Sequence, residues 1–244
     1  WHLAPINNKK KNDKKEILQG AYCPDINGLD PYIILDPLET GIKNNNARFY
    51  IVRNNSIEEK KEIKIEKFFK SKISDIFGKK IKPNYFIYIE CISLGLSHSH
   101  IHYAIDEKIC DQVHMHESNW QITNNKLSPT LMVKKRNCRK FFYFNFKNRD
   151  QQNLIIIHNE KIQNKEKKFI KVRLFSKYNF EKLNIIEINS ENPIIVKNLR
   201  NLFDLEKIDF GVVQIESFDY NFHATGLSYN KNQKLIFTDH FTGG

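Results

Sequence analysis

KFFYFNF (140–146), followed closely by NLIIIH (153–158), is the stretch that decides the fold. Both runs are short, dense in aromatic and β-branched residues, and separated by the polar Lys147-Asn148-Arg149-Asp150, as strands joined by a turn should be. Working outward, runs of the same kind recur downstream as FIKVRLF (169–175), NIIEI (184–188) and GVVQIE (211–216). Upstream they recur as PYIIL (31–35), ARFYIV (47–52), NYFIYIECI (84–92), HIHYAI (100–105) and TLMV (130–133). The tail HATGLSYNKNQKLIFTDHFTGG (223–244) predicts a hairpin about Asn230-Lys231-Asn232. The fold class is therefore α+β, a strand-rich antiparallel sheet with two helices.

The first helix is expected over 57–77. After the Asn54-Asn55 turn signal, Ser56-Ile57-Glu58-Glu59 reads as a capping box. Ile65, Phe69, Ile73 and Phe77 then recur every four residues, widened by Phe68 and Ile76, with Gly78 placed as a left-handed terminator. The second is expected over 195–207, where Val196, Leu199, Leu202 and Phe203 share a face and Pro193 suits the entry. NNKKKNDKKE (7–16) cannot bury anything, so residues 1–30 read as a basic polar N-terminal arm. With no repeat and no clear linker, 31–244 is expected to form a single domain.

Composition narrows the function classes. The 244 residues carry 39 Lys+Arg against 28 Asp+Glu, a formal charge of +11, with 40% hydrophobic residues and 12% aromatics. That is a globular core, and no run approaches the roughly 18 to 20 apolar residues of a membrane helix. The excess of Lys, Asn and Ile resembles the coding bias of an AT-rich genome, which discounts the charge, yet it still favours attraction to nucleic acid or an anionic surface. Cys23, Cys91, Cys110 and Cys138 form no CxxC pair, which argues against a disulfide scaffold or zinc ribbon and for a reducing, intracellular compartment.

Five of the nine histidines, His98, His100, His102, His114 and His116, fall within nineteen residues. On a strand, His98, His100 and His102 share one face, and Glu90 on the preceding strand is placed to meet them. Two imidazoles and a carboxylate suit Mn²⁺, Mg²⁺ or Zn²⁺ and leave coordination positions open for substrate oxygens. FIYIE (86–90), a turn with Gly95, and HSHIHYAI (98–105) together resemble the metal-binding hairpin of the HUH endonuclease superfamily, closest to the nickase domain of parvovirus-type replication initiators. That resemblance implies single-stranded DNA as partner, nuclear if the source is a eukaryotic virus. It implies a divalent metal held by Glu90, His100 and His102, with His98 as a substitute ligand. It also implies a tyrosine nucleophile in a Tyr-x-x-x-Lys pair. Tyr178 with Lys182, behind a Ser176 cap, is the preferred pair, and Tyr143 with Lys147 the alternative. In either, the lysine would neutralise developing phosphate charge.

A second signature competes with the first. His223, then Asp239 sixteen residues later, resembles the papain-like cysteine proteases and deamidases of bacterial effectors and toxins, which implies a base, its orienting carboxylate and an upstream cysteine. Cys138 and Cys91 are the candidates, activated if they stand at a helix N-terminus. A third reading is non-catalytic: a basic binding module, or an immunity-type protein. In KKRNCRKFFYFNFKNR (134–149), aromatic side chains would stack bases and the interleaved cations would meet phosphates.

Overall fold

The computed structural model describes residues 15–35, 45–65, 68–93, 100–113, 116–117, 120–123, 125–129, 131–132, 138–159, 161–162, 169–176, 182–189, 194–217 and 222–242. The chain divides into two compact units, Trp1–Ser118 and Asn119–Gly244, where a single domain over 31–244 was expected. Both are built mainly from antiparallel sheets, and the strand-rich expectation is met. Among the described residues no helix is long and apolar enough to cross a membrane.

The first unit contains β1 (Lys15–Cys23), β2 (Tyr32–Leu35), β3 (Asn45–Arg53), β4 (Ser56–Ile65), β5 (Phe69–Lys72), α1 (Ile73–Phe77), β6 (Tyr85–Ser93), β7 (His100–Ile105), β8 (Lys108–Gln112) and β9 (His116–Glu117). One sheet runs β4-β3-β6-β1-β9 and another β5-β2-β7-β8. Their packing is marked by the Tyr103 hydroxyl of β7, which donates to the Tyr22 carbonyl of β1, and by the Phe49 and Phe69 rings, 6.4 Å apart. Because β1 pairs with β6 along its whole length, the N-terminal arm does not extend to residue 30.

The helix expected over 57–77 survives only as α1. Asn54 and Asn55 both have positive φ, the geometry of a two-residue hairpin loop, so Ser56 is returned directly opposite Arg53 and the chain continues as β4. Glu58, Lys60, Glu62 and Lys64 then face solvent while Ile65 is buried, an alternation with period two. The capping box is thus overridden by the turn in front of it. Gly78 does terminate α1 in the left-handed region, and Asp30 caps its start, its carboxylate accepting from the Ser74 hydroxyl (2.5 Å) and amide (3.2 Å).

The second unit contains the hairpin β10 (Trp120–Thr123) and β11 (Lys126–Pro129), the short parallel pair β12 (Leu131–Met132) and β15 (Lys161–Ile162), and two four-stranded sheets. One sheet has the order β13-β19-β16-β17, from β13 (Cys138–Asn145), β19 (Phe210–Ser217), β16 (Phe169–Ser176) and β17 (Lys182–Asn189). The other runs β18-β14-β20-β21, from β18 (Ile194–Asn198), β14 (Gln152–Asn159), β20 (Phe222–Asn230) and β21 (Leu235–His240). Their inner faces share one core, in which Phe144, Val172, Val213 and Ile215 of the first meet Ile155, Ile157, Phe222 and Ala224 of the second. A bridge between Phe141 and Thr242 joins the two sheets at one edge.

The helix expected over 195–207 is instead β18 followed by a 3-10 turn at Leu199–Asn201. Its first residues are drawn into the sheet by β14, Leu154 to His158 pairing with Asn198 to Ile194, so the chain there is extended rather than helical. Asn198 caps the turn by accepting from the Arg200 amide. The Arg149 guanidinium pins the segment that follows, donating to the carbonyls of Phe146, Leu205, Glu206 and Ile208. The terminal hairpin forms as expected, with the Gln233 amide donating to the Asn230 side chain.

Two glycines admit rings where a side chain would collide. A Cβ on Gly20 would lie 2.5 Å from the buried Tyr88 ring, and one on Gly226 would lie 2.7 Å from Phe142. Gly20→Ala and Gly226→Ala should each lose about 1–3 kcal/mol in urea unfolding, the usual cost of overpacking. Losses under about 0.5 kcal/mol would show that the rings give way freely.

Candidate functional site

The strands expected to form the metal hairpin are not partners. β6 pairs with β1 and β3, whereas β7 pairs with β2 and β8 in the other sheet, so Glu90 does not face the histidine strand as a hairpin neighbour. Glu90 is held instead by β3, accepting from the Tyr50 hydroxyl at 2.6 Å and from Arg48 Nη1 at 3.2 Å. His100 and His102 both lie on β7, with His102 half-buried. The His100 side chain, His98 and His114 lie outside the described residues, as does the His116 side chain. Among the described residues, no group of three His, Cys, Asp or Glu side chains is placed to hold a metal ion.

Of the tyrosine–lysine pairs, Tyr178 lies outside the described residues, and Lys182 opens β17 opposite Phe175. Tyr143 is on β13 with its side chain in solvent, 60% exposed, and Lys147 is exposed in the turn beyond that strand.

The cysteine-hydrolase constellation is separated by strand register. His223 pairs with His158, and Asp239 pairs with Gly226. His223 and Gly226 are three positions apart, so alternation sends the His223 and Asp239 side chains to opposite faces of the sheet. The Asp239 carboxylate engages its neighbour instead, 3.0 Å from His240 Nδ1 and 2.7 Å from the His240 amide. Cys138 does approach this region, its buried Sγ lying 4.0 Å from the Phe222 carbonyl. However, it opens a strand and Cys91 lies within one, so neither stands at a helix N-terminus. The unusual group here is His158, fully buried, whose pKa is pushed down from 6.5 to about 3 by burial and by His223.

The side chains that do converge on an open face belong to the sheet β13-β19-β16-β17. On its outer side Arg139 pairs with Glu216 and Glu216 with Lys171, Phe141 pairs with Gln214 and Gln214 with Arg173, and Tyr143 pairs with Val212 and Val212 with Phe175. The middle column is buried and the flanking strands rise beside it, with Phe141 37% exposed. Glu216 is only 5% exposed along its side chain and is satisfied by two arginines. Arg139 donates to Oε1 through Nε (2.9 Å) and Nη2 (2.5 Å), while Arg173 Nη1 donates to Oε2 and, at 2.8 Å, to Gln214. Burial pushes the Glu216 carboxyl up, but hydrogen bonds from Arg139 and Arg173 outweigh it and hold the group below its ordinary value.

The aromatic and basic character of 134–149 is plain from sequence, but the roles of Glu216 and Arg173 are not. The available signal is a charge inside an apolar strand run, since a buried charge must find a partner. The partner's identity lies 77 residues away for Arg139 and 43 for Arg173.

No protein-family model matches the chain, and no curated protein matches it. Among solved structures it is similar to the β-glucuronidase of Bacteroides uniformis at 8% identity and a TM-score of 0.20, over 94% of this chain and 26% of that one. The chain thus spans about a quarter of that protein, and a likeness at this score carries no argument about fold or activity.

His158 makes a testable contribution to stability. Between about pH 3 and 6.5 the unfolded chain binds a proton at this position that the folded chain refuses, so stability is complete above pH 6.5 and falls with acidification. One proton corresponds to about 1.4 kcal/mol per pH unit. Urea unfolding at pH 7.5 and 5.0 should show roughly 2 kcal/mol more acid loss in the wild type than in His158→Gln. Equal slopes would mean that the imidazole is not held neutral.

Proposed function

We propose that the outer face of the sheet β13-β19-β16-β17 binds single-stranded nucleic acid. The observation that carries this reading is the exposure of Phe141 and Tyr143 at alternate positions of one strand, beside Arg139 and Arg173. Alternate residues of a strand stand about 6.8 Å apart. Stacked bases in a duplex repeat every 3.4 Å or so. Successive bases can therefore meet successive rings only when they are unstacked from each other, which a single strand permits and a duplex does not. Base stacking on aromatics is indifferent to sequence, and the chain's charge of +11 supplies long-range attraction to a polyanion.

Nicking, as the HUH resemblance implies, would add a metal and a nucleophile to this binding. Tyr143 is the expected tyrosine that already stands on the proposed face. A covalent protein–DNA adduct formed in Mn²⁺ and absent from Tyr143→Phe would add that step, and an adduct from Tyr143→Phe would move the nucleophile elsewhere.

Fluorescence anisotropy with a labelled 12-nucleotide single-stranded DNA tests the binding itself. Tyr143→Ala should weaken it roughly 5- to 150-fold, corresponding to about 1–3 kcal/mol per stacked base, while Tyr143→Phe retains it. The matched duplex should bind more weakly than the single strand. Indistinguishable affinities for wild type and Tyr143→Ala would overturn the reading.

A further inference from the structure

We infer that Arg139 is a third stacking platform in the row with Phe141 and Tyr143, held in place by Glu216, and that it meets a base rather than a phosphate. This rests on the single-strand reading of the same face. Arg139, Phe141 and Tyr143 occupy alternate positions of β13, so their side chains project from one side of the sheet at even spacing. An arginine in such a place would ordinarily grip a phosphate through the two parallel N–H donors on one edge of its guanidinium. Here the Nε–Nη2 edge is already occupied, because both nitrogens donate to Glu216 Oε1, and only the Nη1–Nη2 end is left for a phosphate.

The carboxylate itself has no freedom to leave. It is buried to 5% exposure in the central strand and tied through its other oxygen to Arg173. The Arg139 side chain, by contrast, is 56% exposed. With one edge tied to a buried carboxylate the guanidinium is held in place, and its exposed plane is there for a base to stack on. A guanidinium plane is a stacking partner for an unpaired base, whereas an ammonium is a hydrated point charge without a plane. Glu216 is thus a positioning residue, acting on the nucleic acid through Arg139.

Salt dependence separates the two roles. Each phosphate neutralised on a single strand contributes about 0.7 to the slope of log affinity against log salt. With the same labelled 12-mer and the full chain, Arg139→Ala should weaken binding about fivefold or more and leave that slope unchanged. Arg139→Lys should behave like Arg139→Ala, because the charge is kept and the plane is lost. Glu216→Gln removes the negative charge and replaces one of the two acceptor oxygens with a donor, which should loosen the hold on the guanidinium and steepen the slope by about 0.7. An Arg139→Lys variant that binds like wild type, an Arg139→Ala variant whose slope falls by about 0.7, or an unchanged slope in Glu216→Gln would overturn the assignment. Both Arg139 variants sit at the surface and decide the question even if Glu216→Gln does not fold. Their failure leaves the Tyr143 result standing, whereas a wild type that binds no single strand removes both readings.

Discussion

Strand β19 is paired along both edges and buried on both faces, and the second unit is arranged around what that requires. Its backbone is satisfied by β13 and β16, and Val213 and Ile215 enter the shared core. The opposite side carries Gln214 and Glu216, polar groups that cannot be withdrawn from water without partners. Arg139 comes from one neighbouring strand and Arg173 from the other, so the carboxylate ties three strands together on the outer face. The same tie holds Arg139, the arginine that shares a strand with Phe141 and Tyr143. A requirement of burial in one strand thereby shapes the open surface of the next.

The histidines illustrate the opposite use of polar side chains. His158 lies opposite His223 on adjacent strands, and burial keeps it neutral through the ordinary physiological range. Among the described residues it joins no set of metal ligands. In the first unit Glu90 is likewise taken up by Tyr50 and Arg48, both on the neighbouring strand. Glu90, His158 and His223 are here cross-strand neighbours within their own sheets.

Much of the local structure is legible in the sequence. The strand at 140–146 alternates, the Asn54-Asn55 pair turns the chain, and Gly78 ends α1 in the left-handed region. The expected helix at 57–77 fails because the four-residue spacing of Ile65, Phe69, Ile73 and Phe77 arises from a strand end, a second strand and a short helix placed in succession. Capping boxes and apolar periodicities are weak preferences, and a tight hairpin in front of them overrides both. For the candidate face, Phe141, Tyr143 and Arg139 are visible as an aromatic and basic stretch. Glu216 and Arg173 are visible only as charges in otherwise apolar runs.

By itself the sequence determined that this chain is strand-rich, where most strands and turns fall, and that it carries an aromatic, basic segment in its second half. Those properties are local, because alternation and turn geometry depend on residues within a few positions of one another. Only the tertiary structure decided that β6 and β7 belong to different sheets, that His223 and Asp239 project from opposite faces, and that Arg139 meets Glu216 across 77 residues. Strand pairing is chosen by satisfying backbone groups and burying apolar faces over the whole unit, and many pairings are compatible with the same local pattern. A shift of one residue in the pairing of β13 with β19 would turn the Phe141–Tyr143 row inward and remove the face altogether.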